Sequence, residues 1–212
     1  MKKNDLLKQL MTAAPVIPVI VIDNPRRAVS LSRALVAGGL PAIEITLRTK
    51  NAVACIKAVA EEVEGAIAGA GTVLDASQMR EVEKAGARFM VSPGMSAGLL
   101  SALGDCSVPM LPGVATASEM MTLGEAGFTY LKFFPAEAAG GANFLKSVAS
   151  PLAQFRFCPT GGISPGNATE YLALPNVLCV GGSWVAPFDL VEAEDWKAIE
   201  ALARAACGLK RA

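Results

Sequence analysis

The chain has 212 residues, a formal net charge of zero and 52% hydrophobic residues. That length suits one large domain or two small ones, and a neutral chain without a basic stripe is a poor candidate for nucleic acid. It contains no histidine, which removes the commonest general acid–base, the Ser-His and Cys-His nucleophile systems and the commonest metal ligand.

No apolar run approaches the roughly 18 residues of a membrane span. Met1-Lys2-Lys3 would suit the start of a signal peptide, but Asp5 and Lys8 interrupt the apolar region it needs. A cytoplasmic chain is expected, with Asp5 to Met11 as a short amphipathic helix capping the domain. From there short apolar runs alternate with Ala-rich helical segments. Strands are predicted over 16–22, 42–47, 66–70, 89–91, 110–111, 130–133, 155–158 and 177–180. Helices are predicted over 26–37, 52–64, 77–85, 97–103, 117–125, 143–149, 167–174 and 193–206. Gly38-Gly39, Gly86 and Gly127 fall where helix C-caps are needed. Strict alternation predicts a parallel sheet, and eight units predict a single closed (β/α)8 barrel spanning 1–212. An open doubly wound sheet is the alternative, although no GxGxxG follows the first strand. Cys55, Cys106, Cys158, Cys179 and Cys207 show no CxxC spacing and read as reduced, mostly buried thiols.

Barrels keep their chemistry at the carboxyl ends of the strands. Along 42–48, period two sets Ala42, Glu44, Thr46 and Arg48 on one face and Ile43, Ile45 and Leu47 on the other. The apolar face must meet the helices, so Glu44 and Arg48 point inward. They form either a structural ion pair or a carboxylate base with a guanidinium that grips a substrate carboxylate. Gly69-Ala70-Gly71-Thr72 permits close backbone approach to a ligand, with a hydroxyl beside it. Its plainer reading is a tight turn with Thr72 as helix N-cap. Val91-Ser92-Pro93-Gly94 and Leu111-Pro112-Gly113 are ordinary strand ends.

The run Phe128 to Glu137 reads as a buried strand with Lys132 at its centre and Pro135 at its end. Such a lysine must find a partner, reach solvent or lose its charge. A neutral amine is a nucleophile that forms a Schiff base with a carbonyl. The glycine pairs in Cys158-Pro159-Thr160-Gly161-Gly162-Ile163-Ser164 and Val180-Gly181-Gly182-Ser183 follow the last two strands. Barrels often bind phosphate there through backbone N–H groups; two simple glycine turns are the alternative. An amine, a carboxylate, a carboxylate grip and a phosphate nest together suit a phosphorylated keto acid and a metal-free class I aldolase. A phosphosugar isomerase or epimerase and a non-catalytic binding barrel are the competing readings.

The chain strongly resembles the 2-keto-3-deoxy-6-phosphogluconate (KDPG)/4-hydroxy-2-oxoglutarate aldolase family. The resemblance is carried by residues 15–22 (PVIPVIVI), 37–49 (AGGLPAIEITLRT), 69–74 (GAGTVL), 91–94 (VSPG), 111–113 (LPG), 131–137 (LKFFPAE), 156–164 (RFCPTGGIS) and 180–184 (VGGSW). It implies Lys132 as the Schiff-base lysine and Glu44 as general acid–base. Arg48 and Thr72 would hold the pyruvate carboxylate, Pro93 and Phe134 would line the pyruvate pocket, and Thr160 would lie near the substrate hydroxyls. Gly161, Gly162, Gly182 and Ser183 would bind phosphate. It further implies a cytoplasmic homotrimer of barrels in the Entner–Doudoroff pathway, with neither metal nor cofactor.

Overall fold

A computed structural model describes residues 3–211; Met1 and Lys2, on which the signal-peptide reading began, lie outside them. Helix α1 (Lys3–Ala13) buries Leu7, Leu10 and Met11 along one face. It is followed by β1 (Val16–Ile20), α2 (Pro25–Ala37), β2 (Ala42–Thr46), α3 (Ala52–Glu62), β3 (Ile67–Gly71), α4 (Ala76–Lys84) and β4 (Phe89–Val91). Then come α5 (Ala97–Ala102), β5 (Met110–Leu111), β6 (Gly113–Val114), α6 (Ala117–Glu125), β7 (Tyr130–Phe133), α7 (Gly141–Val148) and β8 (Arg156–Pro159). The chain closes with α8 (Ala168–Leu172), β9 (Val180–Gly182), α9 (Phe188–Glu192) and α10 (Trp196–Cys207).

Local chemistry sets the boundaries. Pro25 opens α2, and the Asn24 side chain accepts from Arg26 N and Arg27 N at 3.0 and 3.2 Å, relieving two unpaired donors of the first turn. At the other end Gly39 takes φ 94°, while Leu40 N donates to Leu35 O and Gly39 N to Val36 O, both at 2.9 Å. That is the glycine C-cap the sequence predicted.

The fold is α/β with parallel sheets. A six-stranded sheet runs β5-β4-β3-β2-β1-β9 and a three-stranded sheet runs β6-β7-β8. Single parallel pairings join Phe157 to Val177 and Thr160 to Gly181, next to and within β9. Alternation sorts the side chains. Ile43, Ile45, Leu131 and Phe133 face the helices in the main hydrophobic cluster. Ile17, Ala42, Phe89, Val91, Leu111 and Cys158 face the other way and meet Leu7, Leu10 and Met11 of α1. This second cluster draws on both sheets, with α1 covering it at the amino ends of the strands. The cysteines are free thiols, all buried except the half-buried Cys207.

Three elements differ from expectation. The strand predicted over 110–111 resumes at Gly113 after Pro112, whose missing N–H interrupts the ladder. The last strand is displaced from 177–180 to Val180–Gly182, so Gly181 and Gly182, read as loop, pair with Ile17 and Pro18 of β1. The helix predicted over 193–206 starts only at Trp196, and a short helix that was not predicted, α9, precedes it: Glu194 adopts φ 54° between them, and the Asp195 side chain caps α10 by accepting from Ala198 N at 3.0 Å.

Candidate active site

Lys132 and Glu44 lie on inward faces of β7 and β2, because their flanking apolar neighbours are turned to the helices. Both are buried, at 6% and 3% exposure. Lys132 Nζ stands 3.4 Å from Glu44 Oε1 and 5.1 Å from the centre of the Phe134 ring. Taking two charges out of water is costly, so a buried pair is weak evidence of stabilisation. It is better evidence that both groups are needed where they are. Glu44 has room because Gly71, diagonal to it on β3, carries no side chain; a Cβ there would collide with the carboxylate.

Arg48 departs from the expected strand: β2 ends at Thr46 and Arg48 lies in the following turn. Its Nε still donates to Thr46 Oγ1 at 3.1 Å, and that hydroxyl donates to Ile20 O at 3.0 Å. Thr46, to which the sequence reading gave no role, therefore holds the guanidinium at the mouth. Period two had already placed it on this face. Thr72 does not cap α4; Asp75 does, accepting from Gln78 N at 2.9 Å. Thr72 instead adopts φ 61°, a left-handed backbone that costs a β-branched residue about 1–2 kcal/mol. The backbone on either side is held by Leu47 N to Gly71 O at 2.8 Å and Val73 N to Val91 O at 3.1 Å. Strain retained at one residue in a cavity wall is a mark of function.

The loop after β8 turns on Gly161 and Gly162, at φ 98° and 79°, where side chains are disfavoured. Gly161 N–H faces Gly181 O in the Thr160–Gly181 pairing, and among the described residues no protein oxygen accepts from the N–H groups of Gly162 or Ile163. Two such unpaired donors in a left-handed turn have the geometry of a nest that can receive an anion. Thr160 is buried beside it, and a Cβ at Gly181 would occupy the space of the Thr160 side chain. At Gly182 the Trp184 ring takes the corresponding space.

These groups converge. One cavity of about 310 Å³ is lined by Lys132, Glu44, Arg48, Thr72, Pro93, Phe134, Thr160, Gly161, Gly162, Gly182 and Ser183, together with Val19, Thr46, Ile163 and Gly181. Every residue singled out in the sequence is therefore brought to the same place, at the carboxyl ends of the strands. A larger cavity of about 1130 Å³ adjoins it through Val19 and Ser183 but contains no buried ionisable side chain. The thiols are poor rivals to Lys132 as nucleophile. Burial, then the Asp23 carboxylate, push Cys55 up to about 11, burial raises Cys179, and neither lines the cavity.

The model of the family described as KDPG and KHG aldolase matches residues 7–202. A KHG/KDPG aldolase of Escherichia coli (strain K12) is 51% identical over 199 residues, 94% of this chain and 93% of the relative. The crystal structure of the 2-keto-3-deoxy-6-phosphogluconate aldolase of Zymomonas mobilis ZM4 with 3-phosphoglycerate superposes with a TM-score of 0.94 at 46% identity, covering 100% of this chain and 99% of that one. The KDPG aldolase of Legionella pneumophila, with pyruvate captured at low pH as a covalent carbinolamine intermediate, gives a TM-score of 0.93 at 42% identity, covering 98% and 99%.

Proposed function

The chain belongs to the KDPG and KHG aldolase family, and from that premise we propose that it is a Schiff-base lyase. It cleaves 2-keto-3-deoxy-6-phosphogluconate to pyruvate and glyceraldehyde 3-phosphate, with 4-hydroxy-2-oxoglutarate as a second substrate giving pyruvate and glyoxylate. The observation that carries the reading is the buried contact of 3.4 Å between Lys132 Nζ and Glu44 Oε1 inside a cavity with an anion nest.

In this mechanism Lys132 attacks the C2 ketone to give a carbinolamine, which loses water to give an iminium. Glu44 carries protons in these steps and takes the one on the C4 hydroxyl. The C3–C4 bond breaks, its electrons pass into the enamine, and the aldehyde leaves. The enamine is protonated at C3 and the imine is hydrolysed to pyruvate. The positive charge of the iminium forms at Lys132 Nζ, between the Glu44 side chain and the Phe134 face, so both offset it. Arg48 and Thr72 hold the pyruvate carboxylate, and Pro93 with Phe134 walls the three-carbon unit. Thr160 meets the substrate hydroxyls, and Gly161, Gly162, Gly182 and Ser183 take the phosphate. No metal or cofactor enters these steps.

The same reading makes the two sheets arcs of one (β/α)8 barrel in a single domain. Three features support it: the pairings Phe157–Val177 and Thr160–Gly181, the break of one strand into β5 and β6 at Pro112, and the cluster shared by both sheets beneath α1. A cytoplasmic homotrimer serving the Entner–Doudoroff pathway follows from the family resemblance. Reductive trapping tests the chemistry: pyruvate and borohydride are added and the adduct is mapped by peptide mass spectrometry. A pyruvyl adduct on Lys132, absent along with turnover in Lys132→Ala, is expected. A protein that turns over without labelling any lysine would refute the mechanism.

A further inference from the structure

One buried hydroxyl lies outside the chemistry described so far. Tyr171 of α8 is fully buried, and its OH donates to Oε1 of Glu137. Burial first, and the bond to Glu137 second, push the phenol above its usual range, so it remains a donor. Glu137 follows the strand that carries Lys132, and its N–H donates to Gly161 O at 3.1 Å. Its Cβ and Cγ fill the space where Gly162 would carry a Cβ. From the other side Asn167 Nδ2 donates to Gly162 O at 3.0 Å, and Asn167 Oδ1 accepts from Ser164 N at 2.8 Å. Both carbonyls of the glycine pair are thus occupied, whereas the N–H groups of Gly162 and Ile163 are not.

We infer that Glu137 and Tyr171 are positioning residues for the phosphate end of the substrate, with the buried tyrosine fixing Glu137 and Glu137 fixing the Gly161–Gly162 turn. Neither lines the cavity; both act through the turn. The inference rests on the reading that phosphate binds at this loop. A glutamate next to an anion nest would weaken it if the carboxylate were free to swing toward the N–H groups. The Tyr171 hydroxyl holds one of its oxygens on the α8 side. That contact ties α8 to the segment after β7, and the Glu137 N–H bond to Gly161 O ties the same segment to the loop after β8, which sets the distance from phosphate to the Schiff-base lysine.

The test is the condensation of pyruvate with D-glyceraldehyde 3-phosphate or with D-glyceraldehyde, which differ only in the phosphate. Tyr171→Phe should raise KM for the phosphorylated aldehyde about tenfold, the scale of one hydrogen bond to a charged group, with kcat and the D-glyceraldehyde reaction little changed. Glu137→Ala should behave alike, and Glu137→Gln, which keeps an acceptor for the phenol, should restore KM. Equal losses with both aldehydes in Tyr171→Phe and Glu137→Ala would reduce the pair to a folding role, and unchanged KM in both would remove it altogether. Inorganic phosphate, competing with glyceraldehyde 3-phosphate in the unsubstituted protein, separates the two levels. If it does not inhibit, the phosphate site itself falls and the inference with it. If it inhibits while both variants keep their KM, only the positioning role falls.

Discussion

Replacing Gly71 by alanine challenges the site where it is tightest. Gly71 pairs with Thr46 across β3 and β2, and a Cβ there would stand 2.6 Å from Glu44 Cγ and 2.8 Å from Cδ, with Oε1 nearer still. Carbon–carbon contact is comfortable from about 3.5 Å, so the carboxylate must retreat by roughly 1 Å. Gly71 is not among the glycines with left-handed φ, so the cost is steric alone. Displacing a catalytic group by ~1 Å costs on the order of 10²-fold, and losing general acid–base assistance about 10²–10⁴-fold. Gly71→Ala should therefore lower kcat by about 10²–10³-fold and stability by ~1–3 kcal/mol. Gly69→Ala is the matched control. It lies on the same strand and face, but its Cβ would strike the buried Phe89 ring rather than Glu44. It should lose a similar ~1–3 kcal/mol while kcat stays close to the parent's. Steady-state cleavage rates and urea midpoints of both variants decide the matter. A parental kcat in Gly71→Ala, or equal kcat losses in the two, would refute the claim that the rate depends on where Glu44 stands.

Two further outcomes concern stability. Glu119 Oε2 accepts from Ala115 N and Thr116 N at 2.7 and 2.9 Å in a capping box at the start of α6, and the Ala115 bond above all holds the carboxyl below its ordinary value. A depressed folded value means the stabilisation is complete above the unfolded pKa of about 4.3 and is lost as pH falls through the folded one. Glu119→Ala should thus cost ~0.5–2 kcal/mol at neutral pH, and its gap from the parent should narrow in acid. A gap independent of pH in urea titrations would contradict this. Leu10→Ala empties part of the floor beneath α1 and should cost ~2–5 kcal/mol with KM unchanged, because that floor lies opposite the mouth; a raised KM would show that the two ends are coupled.

The inward faces were legible because polar residues broke otherwise apolar alternation: Glu44 between Ile43 and Ile45, Lys132 between Leu131 and Phe133. Period two assigns such residues a side without knowledge of any other strand. What escaped depended on which strands are neighbours. Gly71 was visible as a glycine in a small-residue turn, but its purpose is to leave room for Glu44, 27 residues earlier. Gly181 makes room for Thr160 in the same way, and Gly162 for Glu137. The left-handed φ of Thr72 had no signal at all, since a threonine there resembles a helix cap. Glycine marks both turns and close approach, and only the register between strands tells them apart. This explains why Gly181 and Gly182 read as loop although they complete β9. Each polar side chain that reaches the cavity from a strand beside such a glycine does so because the neighbouring backbone carries no Cβ. The site is therefore specified in pairs, and a substitution at the silent glycine of a pair should be as damaging as one at its polar partner.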